Sequence, residues 1–182
     1  MVRTSETHPL EIAHVQATPA HGRIGITFCP GKYHPDAMTG AWHRNLDMDL
    51  DTIRDWGASL VVTLVEQKEL EQLRVARLGD AVRARGMQWL HLPVKDYHTP
   101  SPSFEKGWVK HGAHIRRLLR SGSDIVVHCK GGLGRAGMIA ARLLVELGMP
   151  SEKAIDLVRL ARNGAIETPG QEDVVRQAKT IL

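Results

Sequence analysis

Short apolar runs alternate with amphipathic stretches along most of the chain, and this alternation predicts strands that alternate with helices. Leu60–Val65 is a continuous apolar run rich in β-branched residues, which is typical of a strand covered on both faces. Trp89–Val94 and Ile125–His128 predict two further strands. Helical spacing and capping signals predict the helices, which are Asp49–Trp56, Glu69–Arg85, a long helix capped by Ser103, Arg135–Leu147, Ser151–Arg162 and a last helix that opens with a capping box at Thr168.

Two apolar runs near the amino terminus, Leu10–Val15 and Arg23–Phe28, lie on either side of a Pro19–Gly22 turn and predict a hairpin. With the alternating strands and helices, they indicate an α/β fold in which a central, mostly parallel sheet is flanked by helices. The hairpin is expected at one edge of that sheet. A length of 182 residues suits one domain. We expect residues 1–7 to be a flexible leader and residues 8–182 to form the single domain.

Composition excludes several classes of function. No apolar run approaches the length of a membrane span, and the polar residues 1–7 do not begin a secretory signal. The net charge of +4 favours anionic ligands, but the basic residues are too dispersed to predict binding of nucleic acid or a membrane. Two cysteines indicate a reducing compartment, so a cytoplasmic location is expected. The ten histidines lack the spacing of a zinc site, and neither a metal nor another cofactor is expected.

The segment from His128 to Gly137 combines residue types that suit the chemistry of an anion. Cys129 ends a predicted buried strand, three of the next five residues are glycines, and Arg135 opens a predicted helix. Glycines allow successive backbone N–H groups to turn inward and form an anion-sized nest, and a helix N-terminus adds partial positive charge at the same point. A cysteine that faces this potential is favoured as the thiolate, which is the nucleophilic form. The segment therefore predicts a nucleophile beneath a phosphate site.

Other interpretations of this segment are weaker. The spacing Gly132-x-Gly134-x-x-Gly137 matches a dinucleotide fingerprint, but only 45 residues follow it and they hold no second strand that ends in an acidic residue. A phosphate loop of the Walker type needs Lys-Ser or Lys-Thr after its last glycine, and the chain has neither. The remaining alternative makes Cys129 a small buried apolar residue beside a tight turn.

The pattern His128-Cys129-x-x-Gly132-x-Gly134-Arg135 resembles the active-site loop of the cysteine-dependent protein tyrosine phosphatases. Within the dual-specificity group, the fuller Gly-Gly-Leu-Gly-Arg run is most similar to the cyclin-dependent-kinase-associated phosphatases. Other segments of the chain are also similar to segments of these phosphatases and occur in the same order. Residues 8–182 therefore resemble a single phosphatase domain. These segments are Pro9–Ile12, Pro93–Asp96 with Thr99-Pro100, and Gly164–Thr168 with Gln171.

The resemblance implies a two-step phosphoryl transfer through a phosphocysteine intermediate. Cys129 would attack phosphorus, while Asp96 would protonate the leaving oxygen and later take a proton from water. His128 would hold the loop and help to set the thiolate, and Gln171 would position the water. The phosphate oxygens would be bound by loop amides and the arginine side chain, contributed by Lys130, Gly131, Gly132, Leu133, Gly134 and Arg135.

The implied substrates are proteins that carry phosphotyrosine, phosphoserine or phosphothreonine, because the chain has little room for an insertion that would deepen the cleft. The relatives act on a phosphorylated kinase, so a phosphorylated protein is the expected partner. Two alternatives remain, which are a phosphatase of phosphoinositides or inositol phosphates and a slow-turnover module that binds phosphoproteins.

Individual residues also have structural interpretations. Asp96 lies beside prolines, where an aspartate is often a turn residue. Gln171 occupies the N3 position of a capping box and can serve the helix end alone. Cys29 is expected to be a buried strand thiol. One residue departs from the family pattern, since Ala136 stands where a Ser or Thr hydroxyl usually donates to the cysteine sulfur. We expect this change to slow hydrolysis of the phosphocysteine.

Overall fold

The computed structural model describes residues 1–182 and contains seven strands and seven helices. The strands are β1 (Ala13–Val15), β2 (Ile24–Thr27), β3 (Tyr33–His34), β4 (Trp42–His43), β5 (Ala58–Thr63), β6 (Gln88–His91) and β7 (Asp124–His128). The helices are α1 (Leu46–Trp56), α2 (Gln67–Gln72), α3 (Leu78–Ala84), α4 (Pro102–Arg120), α5 (Gly134–Glu146), α6 (Ser151–Ala161) and α7 (Pro169–Gln177). None of the helices combines the length and the apolar character needed to cross a bilayer.

Five strands form the central sheet in the order β1-β2-β7-β5-β6. Strands β2, β7, β5 and β6 run parallel, whereas β1 pairs with β2 as an antiparallel hairpin at the edge. The predicted α/β class, the mostly parallel sheet and the hairpin are therefore confirmed. The carboxyl ends of parallel strands meet at one edge of a sheet, which is where α/β proteins bind ligands. Cys129 follows β7 directly at this edge.

Helix α5 lies at the centre of the helical layer and is buried on nearly every side. It packs against β2 and β7 as well as against α4, α6 and α7. Close approach is possible because its residues are small, and a Cβ atom at Gly137 would lie 2.9 Å from the Cβ of Ala165. The loop between β7 and α5 is thus fixed at both ends by buried elements.

The predicted helix Glu69–Arg85 is wrong as one element, because the chain forms α2 and α3 with a break between them. Arg74 adopts a positive φ of 59° at the break, and its guanidinium carbon lies 3.7 Å from the centre of the Tyr33 ring. The Leu73 carbonyl accepts from the Tyr33 amide at 2.9 Å, while Val75 is fully buried. These tertiary contacts outweigh the helical spacing of the apolar residues.

Two further details differ from the sequence prediction. Ser101 rather than Ser103 caps α4, because Pro102 fits the first helical position and the Ser101 hydroxyl accepts from the Phe104 amide at 3.1 Å. The two-stranded sheet of β3 and β4 was not predicted, since strands of two residues have no detectable periodicity.

Within residues 1–7, which were expected to form a flexible leader, Arg3, Thr4 and Ser5 contact the domain. Ser5 is only 4% exposed, and its hydroxyl donates to Asp49 Oδ1 at 2.9 Å. The same hydroxyl oxygen accepts from the Asn45 amide at 2.8 Å. Arg44 forms a buried ion pair with Asp49 and donates to the Thr4 carbonyl at 3.3 Å. A buried polar network therefore fixes this segment to the start of α1.

Candidate active site

The loop from Cys129 to Arg135 joins β7 to α5, and Cys129 is 3% exposed at its start. Gly132 has a positive φ of 71°, and a Cβ atom there would lie 2.5 Å from the Thr27 carbonyl carbon. Only glycine combines this backbone conformation with so close an approach to the end of β2. The glycine predicted to shape the nest is thus required by both conformation and space.

The carbonyl groups of residues 129–132 all accept hydrogen bonds from groups outside the loop. His128 Nδ1 lies 3.0 Å from the first of these oxygens. The second accepts from the Cys29 amide at 3.1 Å and from Lys32 Nζ at 3.3 Å. The third and fourth accept from Arg162 Nη2 at 3.0 Å and Nε at 3.2 Å.

These bonds determine where the loop amides point. A trans peptide directs its C=O and N–H to opposite sides, so carbonyls held outward turn the amides of residues 130–133 inward. Those four amides have no protein acceptor. Four inward amides in succession form a concave nest of N–H groups, an arrangement that can hold an anion.

The amide of Gly134 differs, because it donates to Glu167 Oε1 at 2.9 Å. This exposed carboxylate lies at the amino end of α5 and lines the same cavity as Cys129. Glu167 was not predicted to contact the loop. Its position follows from the turn before α7, where the Ile166 amide also donates to the Leu133 carbonyl at 3.2 Å.

Arg135 is held in one conformation by an acidic partner that the sequence analysis missed. Its side chain is 1% exposed and donates to both Glu69 oxygens, with Nη1 at 2.8 Å from Oε2 and Nη2 at 3.0 Å from Oε1. Nη1 also donates to the Val94 carbonyl at 3.0 Å. Burial alone would raise the pKa of Glu69, but hydrogen bonds from Arg135 and from the Glu66 amide bring this pKa below its ordinary value. The buried Nε of Arg135 has no partner and remains a donor for an anion.

His128 holds the loop through a buried chain of hydrogen bonds. Trp89 Nε1 donates to the Thr63 hydroxyl at 2.8 Å, and that hydroxyl lies 2.7 Å from His128 Nε2. The Nδ1–H group of His128 can only donate to the Cys129 carbonyl, so this network assigns the single imidazole proton to Nδ1. Complete burial lowers the pKa of His128 to about 4, so the ring is neutral at pH 7. His128 contacts the backbone of Cys129 and brings no positive charge to the sulfur.

This buried imidazole predicts that stability falls in acid. Between about pH 6.5 and pH 4 the unfolded chain binds a proton at His128 that the folded chain excludes, so the free energy of unfolding decreases as pH falls. The shift corresponds to about 3 kcal/mol. Urea unfolding at a series of pH values should show this slope in the difference between the wild type and His128→Asn, which keeps a donor for the Cys129 carbonyl. If the free energy of unfolding varied with pH in the same way for the two proteins, His128 would not be the neutral buried group.

Asp96 and Cys129 line one cavity of about 260 Å³. Asp96 lies on the loop after β6 with its side chain 43% exposed, and its Oδ1 is 3.2 Å from Arg135 Nη2. The following residue, Tyr97, has a positive φ of 59° and donates its amide to the same Asp96 oxygen at 3.0 Å. The turn interpretation and the catalytic interpretation thus describe the same geometry, because the turn directs the carboxylate toward the loop.

Gln171 is buried against the loop, but its side chain is already used by the fold. Its Oε1 accepts from the Glu167 amide at 2.9 Å and from the Thr168 amide at 3.3 Å, as the capping box predicts. Its Nε2 donates to the His98 carbonyl at 3.3 Å. A Cβ atom at Gly134 would lie 2.9 Å from Gln171 Oε1. Gln171 therefore joins the segment before α7 to the Asp96 loop beside the nest.

Backbone amides and one arginine are the groups of this site that can bind an anion. No group of three or more His, Cys, Asp or Glu side chains is arranged to hold a metal ion. Cys29 follows β2 and is fully buried, and this burial raises the pKa of its thiol. Cys29 is therefore a neutral buried thiol at pH 7, and it does not line the cavity that contains Cys129.

Known proteins share this arrangement of sequence and fold. Residues 37–149 match the model of a family described as polymorphic toxin system, DSP-PTPase phosphatase. Cyclin-dependent kinase inhibitor 3 of Rattus norvegicus is 29% identical over 162 residues, which cover 87% of this chain and 73% of the relative. A crystal structure of kinase associated phosphatase, with its catalytic site cysteine replaced by serine, covers 93% of both chains with a TM-score of 0.80 and 26% identity. The structure of Tk-PTP in its active form is 27% identical with a TM-score of 0.66, covering 88% of this chain and 93% of its own.

The family match spans more than half of the chain and includes the whole loop from Cys129 to Arg135. The relatives extend the likeness to most of the remaining residues. The chain therefore belongs to the DSP-PTPase phosphatases, the protein tyrosine and dual-specificity phosphatases that use a cysteine.

Proposed function

We propose that the chain hydrolyses phosphate monoesters on proteins through a phosphocysteine at Cys129. In the first step the thiolate sulfur attacks phosphorus, the bond between phosphorus and the ester oxygen breaks, and Asp96 gives its proton to that oxygen. In the second step water attacks the phosphocysteine, Asp96 accepts a proton from this water, and inorganic phosphate leaves as the thiolate is restored. The observation that carries the proposal is the nest of four unpaired amides between Cys129 and the start of α5.

The loop supplies the electrostatic part of this chemistry. Phosphoryl transfer spreads negative charge over the three equatorial oxygens, so catalysis depends on donors that are already in place. The inward amides of residues 130–133 and the free Nε of Arg135 are such donors. The bidentate pair with Glu69 fixes the guanidinium before substrate binds, which reduces the reorganisation needed in the transition state.

The substrate we propose is a protein that carries phosphotyrosine, phosphoserine or phosphothreonine. Exposed Tyr97 and Met38 both line the cavity that contains Cys129, so they offer apolar contacts to residues beside the phosphate. A kinase is the first candidate partner, because kinases appear in the names of the relatives. Catalysis by a free thiol needs a reducing compartment, and we propose the cytoplasm.

Release of inorganic phosphate from a matched panel tests the substrate class. The panel contains phosphotyrosine, phosphoserine and phosphothreonine peptides, soluble inositol phosphates and phosphoinositide vesicles, each assayed with the wild type and with Cys129→Ser. We expect cysteine-dependent release from the peptides. Faster release from the inositol compounds would contradict the proposed substrate, and equal rates for the two proteins would contradict enzymatic activity.

Replacing Asp96 by asparagine tests the proposed general acid. An amide cannot supply the proton, so the first step on phenyl phosphate should slow about a hundredfold. Para-nitrophenyl phosphate has a leaving group that departs without protonation, and its first step should change much less. Equal losses of the first-step rate on the two esters would show that Asp96 acts through Arg135 rather than as the acid.

Ala136 is fully buried in the first turn of α5, directly after Arg135. Its methyl group cannot donate to the departing sulfur, and loss of one such donor slows a step by about a hundredfold. Stopped-flow assays with para-nitrophenyl phosphate should therefore show a burst followed by a slow phase. Ala136→Ser should accelerate the slow phase and leave the burst rate unchanged. An unchanged slow phase would show that another group supplies this hydrogen bond.

A further inference from the structure

Lys32 is a buried cation that lines the same cavity as Cys129 and is only 6% exposed. Its amide donates to the Cys29 carbonyl at 3.4 Å, and its Nζ donates to the Lys130 carbonyl at 3.3 Å. Lys130 directly follows Cys129 in the sequence. The ammonium group of Lys32 is therefore held against the residue adjacent to the proposed nucleophile.

No carboxylate compensates the charge of Lys32, because the buried carboxylates of this region pair with arginines. Asp49 forms an ion pair with Arg44 at 2.9 Å, and Glu69 forms one with Arg135 at 2.8 Å. A buried charge that has no counter-ion is costly. The charge of Lys32 therefore needs another partner.

The remaining surroundings of Lys32 are two aromatic rings and two thiols. Its Nζ lies 4.2 Å from the centre of the Trp42 ring and 4.8 Å from that of Phe28, and such rings attract a cation without neutralising it. Burial lowers the pKa of Lys32 to about 8, and the thiols of Cys29 and Cys129 oppose this change. The amine therefore carries most of its charge at pH 7.

Of the two thiols near Lys32, only that of Cys129 is placed to become negative. Complete burial raises the pKa of Cys29 well above its ordinary range, although Lys32 opposes this change. Cys129 instead begins the loop whose inward amides favour an anion. A thiolate at Cys129 would supply the counter-ion that Lys32 lacks.

We propose that Lys32 is a positioning residue whose ammonium group stabilises the Cys129 thiolate, and that this thiolate is the counter-ion of Lys32 before substrate binds. The inference rests on the proposed function, in which Cys129 is the nucleophile. His128 is neutral and Arg135 is already paired with Glu69. Lys32 therefore supplies a buried positive charge that neither of these loop residues brings to the sulfur uncompensated.

Other charged or titratable groups also face this pair from neighbouring elements. Those around Lys32 and in the cavity are Arg44, Lys130, His34, Asp96, Tyr97 and Glu167. They remain in place in the variants described below, so a difference between variants reports on the charge of Lys32.

The rate of alkylation by iodoacetamide, measured against pH, tests this inference without relying on turnover. The thiolate is the reactive form, so the midpoint of the profile reports the ionisation of the sulfur. Mass spectrometry of the peptide that contains Cys129 follows the reaction. In Lys32→Met, which removes the charge and keeps a long side chain, the midpoint should rise by about one pH unit. Alkylation below the midpoint should therefore slow about tenfold.

Two further variants separate the charge of Lys32 from its packing. Lys32→Arg keeps the charge and should restore most of the wild-type midpoint. Arg3→Met is the matched control, since the Arg3 guanidinium carbon lies 4.6 Å from the centre of the same Trp42 ring but does not line the cavity that contains Cys129. An unchanged midpoint in Lys32→Met, or the same rise in Lys32→Arg or Arg3→Met, would overturn the inference.

The reciprocal titration keeps the inference testable if Lys32→Met does not fold. Coupling between two sites is mutual, so loss of the sulfur charge in Cys129→Ser should lower the pKa of Lys32 about as far as Lys32→Met raises the alkylation midpoint. Nuclear magnetic resonance of isotope-labelled lysine side chains follows this titration. Cys29→Ser is the matched control and should leave the pKa of Lys32 unchanged, because the Cys29 thiol is neutral.

An unchanged pKa of Lys32 in Cys129→Ser, or an equal fall in Cys29→Ser, would overturn the inference. Failure of the proposed function is separate, because it would appear as absent turnover in wild-type protein, whatever the two titrations show.

Discussion

Replacing Cys129 by serine should lower kcat by about 10⁵-fold. Catalytic groups that act together lose most of their rate enhancement when one of them is removed. Serine keeps the size of the side chain but is not ionised at pH 7, so it cannot attack phosphorus. The nest and Arg135 are unchanged, so phosphopeptide binding should be retained. Steady-state assays together with fluorescence binding measurements separate the two effects.

Cys29→Ser is the matched control for this substitution. Cys29 is the only other cysteine, it is fully buried, and its thiol lies outside the cavity that contains Cys129. Its replacement should affect stability rather than turnover. Residual turnover of Cys129→Ser within tenfold of the wild type would exclude Cys129 as the nucleophile.

Replacing Arg135 by lysine should lower kcat by about a thousandfold or more, the scale of an arginine that stabilises a transferring phosphoryl group. Lysine keeps the charge but loses the planar fork. It cannot donate to both Glu69 oxygens and to the Val94 carbonyl while keeping a further donor for the phosphate. The loss should appear in the first step on both good and poor leaving groups, whereas Asp96→Asn should slow the first step only on poor ones.

Arg116→Lys provides the matched control, because Arg116 also forms a buried ion pair, with Glu146, between α4 and α5. Both variants should lose stability in urea, yet only Arg135→Lys should lose turnover. Comparable kcat losses in the two variants would mean that Arg135 acts through the fold. Glu69→Gln should lower kcat by a smaller factor, because it leaves one acceptor for the guanidinium.

The nest was predictable because its determinants are local in the sequence. Gly132 and Gly134 lie between a buried strand and a helix of strong helix formers, so the chain itself specifies the turn and the position of Cys129. The capping box at Thr168 was predictable for the same reason. Each of these features depends on residues within a few positions of one another.

The partners of the loop were not predictable, because they come from distant segments. Glu69 is 66 residues from Arg135, and Glu167 is 33 residues from Gly134. In the sequence, Glu69 is one of several acidic residues in a polar stretch. The break between α2 and α3 brings Tyr33 against Leu73, and this tertiary contact likewise leaves no periodic signal.

The sequence also does not predict which buried cations have carboxylate partners. Lys32 is one of 24 lysines and arginines, and only the fold shows that it is buried without a carboxylate partner. Arg44, also buried, is neutralised by Asp49. Of these two buried cations, only Arg44 has its charge compensated by a carboxylate.

Rapid quenching of the reaction with a phosphate-labelled substrate tests the central claim most directly. During the first turnover, label should appear on the peptide that contains Cys129, at a level close to one phosphate per molecule if Ala136 slows the second step. Excess inorganic phosphate should reduce the labelling by occupying the nest. Label on another residue, or rapid turnover with no labelled protein at any time, would contradict attack by the Cys129 sulfur.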